Sequence, residues 1–194
     1  MKLADDKHIV ALCGSQRDGS HTRSALERAL EAAERDGATT DLVDLAALDL
    51  PVFDPDRSDA GDAAELRRRV RAADGVVLGS PVYHGSYSSV VKTALDYCRF
   101  EEFENTTVGL LVVAGGGFPT PALEHLRSVA RALDAWVLPH QVALPDAHGA
   151  FEGGRLTDDE LADRVETLGA SLVAYAGVES YPETATERAA PAAD

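Results

Sequence analysis

Cysteine, lysine and long apolar runs are all scarce in this sequence, and each shortage removes a class of protein. Cys13 and Cys98 are its two cysteines, too few for a disulfide framework and wrongly spaced for a zinc site. The largest apolar runs (Ile9 to Cys13, Val76 to Leu78, Val108 to Ala114) fall far short of the roughly 20 residues a membrane span needs. Met1 to Lys7 carry acids where a secretory signal would place its apolar stretch. No export signal is expected, and the cytoplasm is the expected compartment. Positive charge is scarce too: 33 acidic against 18 basic residues give a formal net charge of −15, and only Lys2, Lys7 and Lys92 are lysines. A field of that sign repels nucleic acid and anionic membranes, so neither is expected as a partner. Acids spread along the chain with few lysines suit concentrated salt, where carboxylate repulsion is screened. A merely acidic protein from an arginine-rich proteome explains the composition equally well.

What is present orders itself along the chain. At 194 residues there is room for one substantial domain and too little for two. His8 to Cys13 reads as a buried strand ending at Gly14, followed by a polar loop. A helix with Leu26, Leu30 and Ala33 on one face follows, closed by Gly37. Thr39 to Leu45 is a second strand, and residues 46–61, with Pro51 and Pro55, a long loop. Asp62 is placed to cap a helix carrying Leu66, Val70 and Ala73. Gly75 to Ser80 is the third strand, stopped by Pro81, and a helix begins near Ser88 or Ser89. Thr107 to Ala114 is the fourth strand, and Thr120-Pro121 starts a helix with Leu123, Leu126, Ala130 and Leu133 inward. Trp136 to Leu144 gives a fifth strand with an interruption at Pro139. Thr157 to Glu160 is a capping box opening a last helix that runs to about Gly177.

Five strands alternating with five helices demand a parallel sheet covered on both faces. The expected class is α/β, a flavodoxin-like three-layer sandwich with strand order 2-1-3-4-5. It occupies residues 1–177, and the Ala-, Glu-, Pro- and Thr-rich residues 178–194 are expected to be a disordered acidic tail.

Ligands of such sheets bind at the carboxyl ends of the strands, beside the switch point, a rule for which flavodoxin and its FMN are the standard illustration. Three unusual loops follow the strands expected there. Residues 14–24 combine Gly14 with the hydroxyls of Ser15, Ser20, Thr22 and Ser24 and the guanidinium groups of Arg17 and Arg23. Together with the following helix's free N–H groups they make a phosphate cradle. The plainer alternative is a polar loop that caps the helix. Ser80 to Ser88 contains Pro81, Val82, Tyr83, His84 and Gly85, offering aromatic faces and backbone amides to a heterocycle edge. His84 itself receives no acid–base role. Gly115, Gly116 and Gly117 admit a flat ligand where any side chain would intrude, or form a flexible turn.

Two other phosphate loops are excluded by what is missing. Gly19 is followed by Ser20-His21 and not Lys-[Ser/Thr], so there is no P-loop, and Gln16 replaces the second glycine of a Rossmann fingerprint. A tyrosine phosphatase would need Cys-x5-Arg, but counting from Cys13 puts Gly19 at the arginine position. Cys13 is expected to be a small buried hydrophobe.

Gly-Ser-Gln-Arg-Asp-Gly-Ser at 14–20 with Thr22-Arg23, Ser-Pro-Val-Tyr-His-Gly-Ser at 80–86 with Val91 to Asp96, and the glycines of 114–117 form a distinctive set. In these the chain resembles the NADPH-dependent FMN reductase family, which includes quinone, azo-dye and chromate reductases, over roughly residues 8–175. The resemblance implies that Ser15, Arg17, Ser20, Thr22 and Arg23 hold the FMN phosphate, and that 81–85 and 115–117 line the isoalloxazine ring. It implies a homodimer or homotetramer, NADPH or NADH as co-substrate, and a small-molecule electron acceptor such as free flavin or quinone. This chain departs from the family where Asn is common, at Thr22 and His84, and where Glu is common, at Val82.

No Ser/His/Asp set, no clustered metal ligands and no paired catalytic carboxylates are legible, so no catalytic side chain and no metal are assigned. That suits a flavoenzyme, in which FMN carries the hydride chemistry. A flavodoxin-type electron carrier and a non-enzymatic flavin sensor are the competing readings.

Overall fold

Apolar runs without alternation form strands buried on both faces. In the computed structural model, which describes residues 7–177, β1 (His8–Cys13) holds Ile9 to Cys13 at 0% exposure. Ile9, Ala11 and Cys13 enter one core, Val10 and Leu12 the other. The chain continues through α1 (His21–Arg35), β2 (Thr39–Asp44), α2 (Ala63–Arg71), β3 (Gly75–Tyr83), β4 (Ser86–Tyr87) and α3 (Ser89–Tyr97). It then forms α4 (Phe100–Phe103), β5 (Thr107–Val113), α5 (Thr120–Ala132), β6 (Trp136–Leu144) and α6 (Ala147–Ala150). A small hairpin, β7 (Phe151–Glu152) and β8 (Arg155–Leu156), precedes α7 (Asp159–Tyr175).

The sheet runs β2-β1-β3-β5-β6, all parallel, so its five long strands take the expected order. β4 is an unforeseen sixth strand, antiparallel to β3. α1 and α7 cover one face; α2, α3 and α5 cover the other. The α1–α7 packing is close because Gly169 has no side chain: a Cβ there would overlap the Ala29 carbonyl oxygen and lie 3.0 Å from Ala32 Cβ. The carbonyl end of α7 is held by the sheet, since Lys7 Nζ donates to Val173 O (2.5 Å) and Thr107 Oγ1 donates to Tyr175 O (2.8 Å).

Several boundaries differ from the sequence reading. β3 passes through Pro81 to Tyr83, because its pairing with β1 ends at Gly79 and a proline is tolerated where a strand becomes an edge. Asp62 does sit at the start of α2, but its carboxylate accepts from Asp49 N (2.8 Å) and pins the long loop instead of capping the helix. The cap of α7 is Asp158, which accepts from Leu161 N, one residue beyond Thr157. The interruption at Pro139 is real: Val108 pairs with Val137 but Leu110 with Gln141, so residues 138–140 bulge from the edge strand. The expected tail, 178–194, lies outside the described residues. Among the described residues no helix is long and apolar enough to cross a membrane.

Candidate functional site

The loops after β1, β3, β5 and β6 meet at one cleft of about 320 Å³. Hydrogen bonds brace them. Gly14 N donates to Gly79 O (2.9 Å), and Ser88 Oγ donates to Gly14 O (2.8 Å). Ser80 Oγ accepts from Ser88 N and donates to Pro81 O, both at 2.8 Å. Gly14 makes the close approach possible: a Cβ there would overlap Val91 Cγ2 and lie 3.0 Å from Ser88 Oγ and 3.1 Å from Gly79 O. The glycine loop is anchored from behind, where Ala147 N donates to Ala114 O (3.0 Å) and Asp146 N to Gly116 O (3.2 Å).

Ser15, Arg17, Ser20 and Thr22 line the cleft from the first loop, Pro81, Val82 and Tyr83 from the second, and Gly115 from the third. Ser15, Ser20 and Thr22 are buried polar residues at 4%, 7% and 2% exposure. Ser20 caps α1, its Oγ accepting from Arg23 N at 3.2 Å, and Ser15 Oγ accepts from Arg17 N at 3.4 Å. Neither hydroxyl proton is donated within the described residues, and the Thr22 hydroxyl has no partner there. His84 and Gly85 have positive φ, 50° and 77°, and form the tight turn between β3 and β4 just beyond the lining. Gly116 and Gly117 continue the third loop outward, with no atom within 4 Å of where a Cβ would stand. Arg23 is placed elsewhere: its guanidinium pairs with Asp44 at the end of β2 and lines a separate groove along α1.

Five lining residues were not among the sequence candidates: Gly19, His21, Val113, Ala147 and His148. The last two follow β6, a fourth strand whose carboxyl end opens at the same edge, so strand order alone could have drawn attention to them. His21 stacks on Phe151 of β7, centroids 4.3 Å apart and planes 6° from parallel. Burial, then the nearby His148 and Arg17, hold its imidazole below the ordinary histidine range. Cys13 is buried and its thiol is pushed up, chiefly by burial, as an inert core group is.

The cleft's charge contrasts with that of the whole chain. In a protein of net −15, no carboxylate is among its lining residues. Arg17 is exposed and, among the described residues, has no ion-pair partner, whereas Arg23, Arg28, Arg67, Arg69 and Arg71 are all paired. Unspent hydroxyl protons, a free guanidinium and the first N–H groups of α1 are a donor set for an anion of phosphate type. A bare glycine rim beside them suits a flat heterocycle. The residues present therefore fit a flavin mononucleotide.

Comparison with known proteins agrees with that fit. Residues 8–149 match the family described as NADPH-dependent FMN reductase. The FMN-dependent NADPH-azoreductase of Staphylococcus saprophyticus is 35% identical over 145 residues, covering 71% of this chain and 76% of the relative. That of Staphylococcus haemolyticus is 30% identical over 184 residues, covering 89% and 96%. In fold, the chain is similar to the flavoenzyme NAD(P)H:(acceptor) oxidoreductase FerB of Paracoccus denitrificans, with a TM-score of 0.74, 21% identity, and coverage of 87% of this chain and 96% of that one. A crystal structure of an NADH:FMN oxidoreductase in its apo form gives a TM-score of 0.72 at 20% identity, covering 89% and 91%. A donor-lined cleft at the switch point, the three loop motifs and a match across most of the described residues converge, and the chain belongs to the NADPH-dependent FMN reductase family.

Proposed function

We propose that the cleft binds FMN with its phosphate in the 14–22 loop and its ring between residues 81–83 and the 115–117 rim, and that the protein passes reducing equivalents from NAD(P)H to a small-molecule acceptor. As a member of its family the chain is an FMN-dependent NAD(P)H oxidoreductase. FMN held there would supply the redox chemistry, hydride and electron transfer between nicotinamide and acceptor in a ping-pong cycle. The chain's own groups bind and orient. Ser15, Ser20 and Thr22 donate hydroxyl protons to the phosphate, and Arg17 supplies the compensating charge. Pro81, Val82 and Tyr83 flank the ring, with Tyr83 half exposed at 50%. The glycine rim has open space in front of it, which would admit a nicotinamide or an acceptor beside the ring.

The observation that carries this reading is the acid-free cleft with an unpaired Arg17 in a strongly acidic chain. Azo compounds, quinones and free flavins are the acceptor classes to try first, given that relatives are named azoreductases. The same reading places the protein in the cytoplasm as a homodimer or homotetramer, with an acidic surface suited to concentrated salt. The test is anaerobic addition of NADPH or NADH to flavin-loaded protein. Bleaching of the flavin band, followed by recovery on adding an acceptor and no partner protein, supports the reductase. A flavin that stays oxidised makes the protein a sensor, and reduction only through a partner protein makes it a carrier. Arg17→Ala should weaken FMN about 10- to 100-fold, the worth of a charge-assisted contact, and leave riboflavin unchanged.

A further inference from the structure

We propose that the imidazole ring of His21 reads the charge of the flavin's phosphoryl group, binding a proton as the group arrives and so favouring phosphorylated over neutral flavin. This rests on the FMN reading of the cleft. Both rings line it, one from the first residue of α1 and the other from α6. Neither ring has a hydrogen-bond partner among the described residues. By contrast His8 is bonded to Thr39 Oγ1, His125 to Ser86 Oγ and His140 to Arg164 O. His84, on the hairpin turn, is outside the lining. Stacking on Phe151 fixes the plane of the His21 ring, so its ordering is already provided by the fold.

The charged groups acting on His21 are His148 from α6 and Arg17 from the preceding loop; β7 faces it with the uncharged Phe151 ring, and no carboxylate lines the cleft. Burial and both of these cationic neighbours therefore disfavour a positive charge on His21, and the ring is held toward its neutral form in the free protein. A phosphoryl dianion brought among Arg17, His21 and His148 reverses that balance. The His21 ring then takes a proton from water, and its protonated nitrogens are further donors for a phosphoryl oxygen. Arg17 gives a fixed charge, and His21 adds an adjustable one.

Imidazole proton resonances followed by NMR across pH 5 to 9 test this, on protein that is free, FMN-bound and riboflavin-bound, with His21→Gln and His148→Gln used for assignment. FMN should raise the His21 titration midpoint by about one pH unit, the ordinary effect of an opposite charge at contact distance, and riboflavin should not. His21→Gln should lose up to about tenfold in FMN affinity on the acid side of that midpoint, measured by flavin fluorescence, and nothing for riboflavin. A His21 midpoint that stays fixed while FMN still binds more tightly than riboflavin overturns the inference and leaves the cleft assignment standing. A midpoint that moves equally with riboflavin also overturns it. Equal affinity for FMN and riboflavin, unaffected by Arg17→Ala, overturns the cleft assignment itself.

Discussion

Gly14 lies where β1 stops and the proposed phosphate loop begins, and replacing it by alanine has a cost that can be worked out. The new Cβ would overlap Val91 Cγ2, a fully buried side chain of α3, and sit 3.0 Å from the hydroxyl of Ser88, which itself bonds Gly14 O. Backbone on one side and a β-branched side chain on the other leave nothing that yields cheaply. Overpacking of this kind costs about 1–3 kcal/mol. Val91→Ala alone removes two buried methyl groups and costs about 2 kcal/mol, at roughly 1 kcal/mol each. If the two residues were independent, the double variant would lose about 4 kcal/mol. The clash requires otherwise: with the Val91 methyls gone only the tighter contacts to Ser88 Oγ and Gly79 O remain, so Gly14→Ala should add less than it costs alone, and the double variant should lose clearly less than about 4 kcal/mol. Urea unfolding of the flavin-free proteins measures this, each 2 kcal/mol lowering the midpoint by roughly 1 M. FMN affinity should follow, falling in Gly14→Ala and recovering in the double variant as Ser15 regains its place. Additive losses, or a Gly14→Ala midpoint equal to wild type, would refute the reasoning.

Gly85→Ala separates strain from packing, because Gly85 has a φ of +77° and no atom within 4 Å of the added Cβ. A loss of about 1 kcal/mol in urea unfolding is expected, from backbone conformation alone. Arg69 holds the Asp41 carboxyl below the usual carboxylate range through hydrogen bonds of 2.7 and 2.5 Å. A depressed carboxylate stabilises the fold above its unfolded pKa and loses that effect as pH falls through the folded value. The urea midpoint of Asp41→Asn should thus lie below wild type near pH 7 and converge with it as pH falls below the ordinary carboxylate range and through the depressed folded value. An acidic protein of net −15 repels an anionic nicotinamide cofactor, so KM for NAD(P)H should fall as salt rises to molar levels. A flat profile would show that the acid-free cleft already shields cofactor capture.

The sheet was legible because β1, β3 and β5 are continuous apolar runs, and a run buried on both faces has few alternatives. Hydroxyl and arginine spacing after Cys13 likewise announced the donor-rich loop. Arg23 shows the limit of that reasoning: its type and position suit a phosphate, yet the carboxylate of Asp44, 21 residues on, holds it at the sheet's edge. His21 and His148 show the converse. Nothing in the chain between them relates the two, and only the closing of β6 beside β5 brings both to one cleft. The hairpin β7–β8 carries two residues per strand, too short to show any period, so Phe151 could not be foreseen as the plate beneath His21. Pro81 misled for a different reason. A ladder that has lost one neighbour no longer asks every residue for an N–H.

Gly115 to Gly117 give the cleft a border of plain peptide, fastened from behind by residues 146 and 147 and open in front. Such a border has no side-chain shape or charge of its own to match against a visitor. Under the proposed function, sorting among electron acceptors falls to flatness and redox potential, and breadth of choice is the natural outcome. Narrowing it calls for adding matter. A single large residue at position 116, with space around it to stand in, is the shortest route from a generalist to a specialist.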